Sequence, residues 1–121
     1  MRSDFATERS VRVETETVGP AIVLRLAGHI DDLGADVVSA RLDEVIGAGH
    51  ARILFDLGDV LFMGSSGLGQ IMRAYQAVKK RDGYVRIVNP QPLIADVFRL
   101  TKLDKLLKIY PSVSKALADT P

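Results

Sequence analysis

The densest group of residues that could do chemistry lies at mid-chain, where residues 64–69 read Gly-Ser-Ser-Gly-Leu-Gly. This group follows an apolar, strand-like run and precedes the most regular helical pattern in the chain. Glycines at such a position let the backbone turn tightly and leave the first N–H groups of a helix uncovered. The uncovered helix end could do chemistry, carry a modification, or simply be capped by a serine.

Nucleotide-binding motifs do not fit these residues. Gly64 and Gly69 have the spacing of a phosphate-binding P-loop, but the required lysine and hydroxyl residue are replaced by Gln70 and Ile71. The dinucleotide fingerprint also fails, because Met72 stands where a third glycine or an alanine is needed. We therefore expect neither a nucleoside triphosphate nor a dinucleotide at this turn.

A hydrolytic serine is a second alternative. A nucleophile elbow needs glycine two residues before and two residues after the serine, and neither Ser65 nor Ser66 has both. The chain offers His29 and His50 as candidate bases. His29 could approach the turn in space, so a Ser–His pair stays open, although a triad also needs an orienting acid. We interpret His29 as a surface residue of a loop rather than as a base.

Two further interpretations of the serines remain, a helix cap and a phosphate acceptor. A capping serine accepts a hydrogen bond from a free backbone N–H, and its loss costs about 1 kcal/mol. A phosphoserine at a helix start would meet several N–H groups and the positive end of the helix dipole. It would add about −1.5 to −2 charge, enough to eject a partner docked on the same surface. The residues alone do not select between these interpretations.

The composition limits the other functions. The 121 residues predict one domain, and a hydrophobic fraction of 47% is ordinary for a globular protein. A net charge of +1 gives no reason to expect nucleic acid or an anionic membrane as partner. The absence of cysteine excludes thiol chemistry, and no carboxylate cluster resembles a metal site, so we expect no cofactor. Without a signal peptide or an apolar run of about 20 residues, we expect a cytoplasmic protein with no membrane insertion.

The hydrophobic periodicity predicts strands that alternate with helices. The predicted strands are residues 10–17, 21–27, 52–57, 84–88 and 106–110, and the predicted helices are residues 35–46, 68–78, 92–100 and 111–118. The first two strands should form an antiparallel hairpin, and the later ones should be parallel. The prediction is an α/β fold with a mixed, mostly parallel sheet of about 4–5 strands and about four helices. Residues 1–9 are interpreted as a tail or strand extension, and residues 10–121 as the domain.

Two predicted loops lie at the carboxyl ends of strands, residues 28–32 and residues 63–67. In sheets of this kind, such loops form the usual working surface. Asp31 or Asp32 is expected to cap the helix that follows the first loop.

The ordered set of motifs resembles the STAS domain family, and within it the bacterial anti-sigma factor antagonists. The resemblance covers nearly the whole chain, through residues 26–31, 53–57, 60–69, 83–90 and 97–103. It implies a non-enzymatic switch protein that binds an anti-sigma factor, itself a serine kinase of GHKL type, and thereby frees the sigma factor for transcription. The kinase then phosphorylates the antagonist, which dissociates, and a serine phosphatase resets it.

The resemblance also implies the site residues. The family pattern Asp-Ser-Ser/Thr-Gly-Leu-Gly makes Ser65 the expected phosphorylation site, with Ser66 as second choice. The acid of the first loop in the family matches Asp31. The expected partner-binding residues are drawn from the two loops: His29, Asp31, Gly64, Ser66, Gly67 and Leu68.

The chain departs from the family pattern at two positions. Gly64 replaces the aspartate that precedes the acceptor serine, so that Asp31 is the acid left at the site, unless none is needed. Lys102 replaces a frequent glycine.

Two other functions stay open at this point. Some STAS domains lack the acceptor and serve as interaction subunits in transporter tails, lipid-transport complexes or stress-signalling assemblies. A small-molecule binder that uses the helix end for an anion is the third hypothesis. The sequence does not name the partner or fix the oligomeric state.

Overall fold

The computed structural model describes residues 11–120, which form five strands and four helices. The strands are β1 Arg12–Val18, β2 Ala21–Ile30, β3 Arg52–Met63, β4 Tyr84–Val88 and β5 Ile109–Tyr110. The helices are α1 Asp32–Gly47, α2 Ser65–Lys79, α3 Pro92–Leu100 and α4 Val113–Ala118, with a 3₁₀ turn at Leu103–Lys105. Residues 1–9, expected to be a tail or strand extension, lie outside the described residues.

The five strands form one sheet in the order β1-β2-β3-β4-β5. β1 and β2 are antiparallel, as their short connection predicts, and the other three neighbouring pairs are parallel. A parallel pair needs a long crossover, and helices provide these connections. The α/β class and the mixed, mostly parallel sheet predicted from the sequence are therefore confirmed.

The core consists of two layers, one on each face of the sheet. Side chains of a strand alternate between the faces, so Leu24 and Leu26 of β2 pack on the side of α1, α2 and α3. Ala21 and Val23 of the same strand pack on the other side, against Ala116 of α4. Full burial of a large apolar side chain stabilises the fold by about 1.5–3 kcal/mol. These layers make the sheet a firm platform for the residues at its carboxyl edge.

β2 and β3 are longer than the periodicity predicts. They continue to Ile30 and Met63, so most of the residues expected in two loops belong to strand ends and helix starts. The register between the strands shifts twice, between Arg25 and Ala27 and between Gly28 and His29. Both shifts add a residue to β3, whose buried residues Leu57, Val60 and Met63 therefore depart from a two-residue period. β2 keeps its alternation through Ile30, but the prediction ended this strand before Gly28.

The end of the chain also differs from the prediction. The last strand was expected at residues 106–110, but β5 contains Ile109–Tyr110 alone. The N–H groups of Leu106 and Leu107 instead donate to the carbonyl oxygen of Leu103, at 3.0 and 2.8 Å, at the end of the 3₁₀ turn. Lys102, the N-cap of this turn, has a left-handed φ of 63°. A 3₁₀ turn cannot join a β-ladder, because its backbone groups bond within the turn.

Arg86 of β4 is a buried cation, with 7% of its surface exposed. Its Nη1 donates to the carbonyl oxygens of Ala116 at 2.7 Å and Asp119 at 2.5 Å. Its guanidinium carbon lies 3.8 Å from the ring centre of Tyr84. The carbonyl ends of a helix favour a positive charge, so Arg86 fastens the last turn of α4 to the sheet.

Replacement of Arg86 by alanine is expected to lower the free energy of unfolding by about 2–4 kcal/mol, because two backbone acceptors lose a charged donor. Urea titration monitored by circular dichroism measures this loss. Arg52 is the matched control, since its guanidinium also lies over Tyr84, at 6.0 Å, but the residue is exposed. Arg52→Ala should change stability by less than about 0.5 kcal/mol, and equal losses for the two variants would contradict the role given to Arg86.

Candidate functional site

The site begins where β2 and β3 end side by side. In their ladder Ile30 pairs with Met63, and the N–H of Gly64 donates to the carbonyl oxygen of Ile30 at 3.1 Å. Each strand then leads into a helix within two residues, so the first turns of α1 and α2 become neighbours. The two segments that were predicted to share one edge of the sheet do meet there.

A cavity of about 380 Å³ lies between these two helix starts. We call it the serine cleft, and it is lined by Asp31, Asp32, Leu33, Phe62, Gly64, Ser65 and Ser66. Four of these residues were expected at the site from the sequence. The other three, Asp32 as a site residue, Leu33 and Phe62, come from the structure.

The two serines have different hydrogen bonds. Ser66 donates its hydroxyl to Oδ1 of Asp32 at 2.7 Å. Ser65 is the first residue of α2 and is exposed, and within residues 11–120 its hydroxyl has no hydrogen-bond partner. As far as residues 11–120 are concerned, the serine cleft therefore offers one unbonded hydroxyl and one that is held by a carboxylate.

Neither serine caps α2. The N-cap residue is Gly64, which has an extended backbone and no side chain to accept a bond from the first turn. The capping interpretation of the serines is therefore wrong. The first turn of α2 also contains no acidic residue, so its N–H groups remain available to a negatively charged group.

The two aspartates at the start of α1 have separate roles. Asp31 is the N-cap of α1, and its Oδ1 accepts the N–H of Gly34 at 2.9 Å. Asp32 is exposed and directs its carboxylate across the cleft to Ser66. Asp31 thus stabilises the helix, as one of the two predicted caps, while Asp32 connects α1 to α2.

The glycines of the 64–69 segment are not equivalent. A Cβ atom on Gly67 would lie 2.7 Å from Cγ2 of Ile30 and 3.1 Å from Cγ of Met63, so this position requires glycine for close packing. A Cβ atom on Gly69 would meet nothing within 4 Å. At Gly64 it would lie 3.4 Å from Cε2 of Phe62, an ordinary contact. The room around a Cβ atom at position 64 therefore does not exclude an aspartate there.

Large apolar side chains flank the serine cleft. Leu33 is 79% exposed and Phe62 is 47% exposed. Apolar surface grouped around a polar centre is typical of a surface that docks another protein. The exposure of Leu33 could have been predicted from the sequence, because this residue lies outside the apolar face that Val38 and Leu42 form in the same helix.

His29 lies within β2, half-buried, and its ring stacks against Phe62 with the ring centres 6.4 Å apart. Its assignment to a loop surface is therefore wrong, because β2 continues past it. Its Nδ1 is buried without a hydrogen-bond partner in the described part of the chain, and the residue does not line the cleft. The geometry gives no support to a Ser–His pair.

Metal binding and membrane spanning are two other properties that bear on the function of this chain. Across residues 11–120, no group of three or more histidine, aspartate or glutamate side chains is arranged to hold a metal ion. In the same residues no helix combines the length and the apolar character needed to cross a membrane.

Comparison with known proteins identifies the class. The STAS domain family matches residues 12–116. The anti-sigma F factor antagonist of Paenibacillus polymyxa is 27% identical over 111 residues, which cover 91% of this chain and 95% of that relative. The anti-sigma-B factor antagonist of Bacillus subtilis is 28% identical over 100 residues, covering 83% and 91%. The crystal structure of an anti-sigma factor antagonist from Mycobacterium paratuberculosis superposes with a TM-score of 0.83 at 27% identity, covering 91% and 93%.

The chain belongs to the STAS domain family. This membership confirms the resemblance drawn from the motifs, and it agrees with the order of strands and helices described above. A member of this group is a regulatory binding protein and not an enzyme.

Gly67 and Gly69 offer a matched test of the site's packing. We expect Gly67→Ala to destabilise the protein by about 1–3 kcal/mol, because the new methyl group forces α2 away from Ile30. Gly69→Ala, made in the same helix with open space around it, should stabilise by up to about 1 kcal/mol. Thermal and urea unfolding measure both effects. Equal effects of the two substitutions would show that α2 does not approach β2 as closely as described.

Proposed function

We propose that this protein is an anti-sigma factor antagonist that binds an anti-sigma factor serine kinase of GHKL type through the serine cleft. Phosphorylation of Ser65 releases it, and a serine phosphatase restores the binding form. The names of the relatives support the antagonist role. The observation that carries the switch is the exposed Ser65 hydroxyl, unbonded within residues 11–120, at a helix start beside two carboxylates.

Ser65 is the better acceptor because of its position as well as its exposure. As the first residue of α2 it projects where the N–H groups of the first turn are open. A phosphate attached there would be stabilised by those N–H groups and by the helix dipole. The phosphorylated form would therefore be compatible with the fold, as a reversible switch requires.

The surroundings of Ser65 explain how a phosphate would release a partner. The cleft already contains the carboxylates of Asp31 and Asp32, and its rim is apolar through Leu33 and Phe62. A partner that covers this rim must remove water from the cleft. A phosphate adds about −1.5 to −2 charge at its centre, which makes that desolvation costly and repels any acidic group on the partner.

Asp32 decides which serine reacts. It holds the Ser66 hydroxyl in a charge-assisted hydrogen bond, a type of bond worth about 1.5–3 kcal/mol. Ser66 must break this bond before its oxygen can turn toward the γ-phosphate of ATP, whereas Ser65 has no such bond to break within the described residues. Asp32 also supplies a carboxylate to a site in which position 64 carries none.

The partner would contact both strand ends and both helix starts. The residues proposed for this contact are His29, Asp31, Asp32, Leu33, Phe62, Gly64, Ser66, Gly67 and Leu68. Leu33 and Phe62 provide the apolar area, and His29 supports the ring of Phe62 by stacking. Buried aromatic anchors commonly carry much of the binding energy in such interfaces.

A second function is favoured by one observation, the glycine at position 64. A STAS interaction subunit of a transporter, lipid-transport or stress-signalling complex could use the same apolar rim without any phosphorylation. Such a protein would bind its partner stably, with or without ATP.

The first experiment tests phosphorylation itself. The full chain is incubated with its cognate GHKL kinase and ATP and then examined by intact-mass spectrometry. We expect one phosphate on the wild type and none on Ser65→Ala. Ser114→Ala is a matched control, because Ser114 is also exposed near a helix start but lies away from the cleft, in α4. An unmodified wild type that still binds the kinase in ATP would favour the interaction subunit.

The second experiment tests the selection by Asp32. Peptide mapping should place the phosphate of the wild type on Ser65, with at least about tenfold less on Ser66. In Asp32→Ala the Ser66 hydroxyl is free, and the ratio should shift toward equal modification. Asp36→Ala removes an exposed carboxylate one turn further along α1 and should leave the ratio unchanged.

Two results would contradict the selection by Asp32. Modification of Ser66 in the wild type would mean that Asp32 activates this hydroxyl as a proton acceptor. An unchanged ratio in Asp32→Ala would mean that the kinase alone chooses the serine.

A further inference from the structure

Among residues 11–120, β1 is an edge strand of the sheet, bonded on one side to β2. The carbonyl oxygen of Val13 accepts a bond from Nη1 of Arg41 at 3.3 Å, from which we infer that this carbonyl is directed away from β2. Backbone groups of an edge strand point outward at every second residue. Val13, Thr15 and Thr17 therefore present N–H and C=O groups at the open edge. An edge of this length, rich in β-branched residues and without proline, is a template for another strand.

The two faces of β1 differ in character. Val11 and Val13 pack toward the core on the side of α1, whereas Arg12 and Glu14 are exposed on the other side. A groove of about 660 Å³ runs between β1 and α1. It is lined by residues of both elements: Val11, Arg12, Val13, Glu14, Val37, Ala40, Arg41 and Glu44. Val37 in this groove is 47% exposed. A strand added to the edge would place every second side chain in this groove. Its remaining side chains would lie beside Arg12 and Glu14 on the opposite face of the sheet.

We propose that a second copy of this chain binds here, with the two β1 strands paired antiparallel about a two-fold axis at Val13. The strand of the second copy suits both faces of the edge, because its charged residues Arg12, Glu14 and Glu16 alternate with the uncharged Val13, Thr15 and Thr17. Its Val13 would lie opposite Val13 and beside the groove. On the other face Arg12 would lie opposite the partner's Glu14, and by symmetry this ion pair occurs twice.

The charges of β1 select this register. A pairing centred on Arg12 places Arg12 opposite the partner's Arg12. A pairing centred on Glu14 also places Arg12 opposite the partner's Glu16 twice, but it sets two glutamates directly opposite each other. A pairing centred on Thr15 places Glu14 opposite the partner's Glu16, again twice. Like charges directly opposite each other destabilise a ladder, and opposite charges stabilise it. The register centred on Val13 avoids every such repulsion among these residues.

The pairing geometry strengthens the charge argument. With Val13 opposite Val13, the outward-directed residues form the hydrogen-bonded pairs of the ladder. Arg12 and the partner's Glu14 then form a non-hydrogen-bonded pair, in which Cα atoms are about 4.5 Å apart and side chains are closest. The carbonyl oxygen of Val13 has a second lone pair, so it can accept a ladder bond beside Arg41. The result is one continuous sheet through both copies.

Sedimentation equilibrium of the full chain over a wide concentration range tests the proposal. The wild type should show a reversible monomer–dimer equilibrium. Arg12→Glu and Glu14→Arg each turn two attractive pairs into two repulsive pairs, and each should raise the dissociation constant by about tenfold or more. A mixture of the two variants restores both opposite-charge pairs, so it should form a heterodimer with nearly wild-type affinity.

The control is Asp36→Arg, an exposed charge reversal on α1 outside the groove, which should leave the equilibrium unchanged. Circular dichroism confirms that each variant is folded. A wild type that stays monomeric throughout would overturn the proposal. A dimer that persists in both single variants, or variants that do not associate when mixed, would assign the dimer to another surface and overturn it as well.

Discussion

The carbonyl oxygen of Ile30 accepts the N–H of Gly64, and this backbone bond joins the ends of β2 and β3 at the point where each strand becomes a helix. The bond holds the first turns of α1 and α2 together, and the absence of a side chain at Gly67 lets α2 lie directly against Ile30. Because both strands are buried in the core on either side, their ends have little freedom to separate. The serine cleft is the space that this arrangement leaves.

The polar groups of the serine cleft differ in what they do for the fold. Asp31 is used by the fold, since it caps α1, and its pairing with Gly34 fixes the direction of the helix. Asp32 and the two serines are not needed to end a strand or begin a helix. The hydrogen bond between Asp32 and Ser66 distinguishes two hydroxyls that are adjacent in sequence. The carboxylate bonded to Ser66 therefore comes from the neighbouring helix α1, while position 64 carries a glycine.

The sheet differs in character between its β5 end and its β1 edge. Near β4 and β5, α4 covers one face of the sheet, and the buried guanidinium of Arg86 donates to carbonyl groups at the end of that helix. On the side of β1, the described residues leave the backbone open apart from the contact of Arg41 with Val13. An open edge with alternating charge suits reversible association.

Much of this protein could be predicted from its sequence. The alternation of apolar residues at periods of two and of three to four indicated the order of strands and helices, and the helix starting at Pro92 and the strand Tyr84–Val88 agree with the prediction. Motifs spread along the chain indicated the family as well. These features are local, so neighbouring residues are enough to determine them.

The tertiary structure decided the rest. The end of β3 at Met63 follows two register shifts against β2, and a bulge needs a neighbouring strand to exist. The apolar rim depends on which face of each element the core leaves uncovered, as at Leu33. The bond between Asp32 and Ser66 joins residues 34 positions apart, and no spacing in the sequence encodes it. The sequence by itself determined that two serines stand at a helix start, and only the packing of two strand ends decided which of them is free.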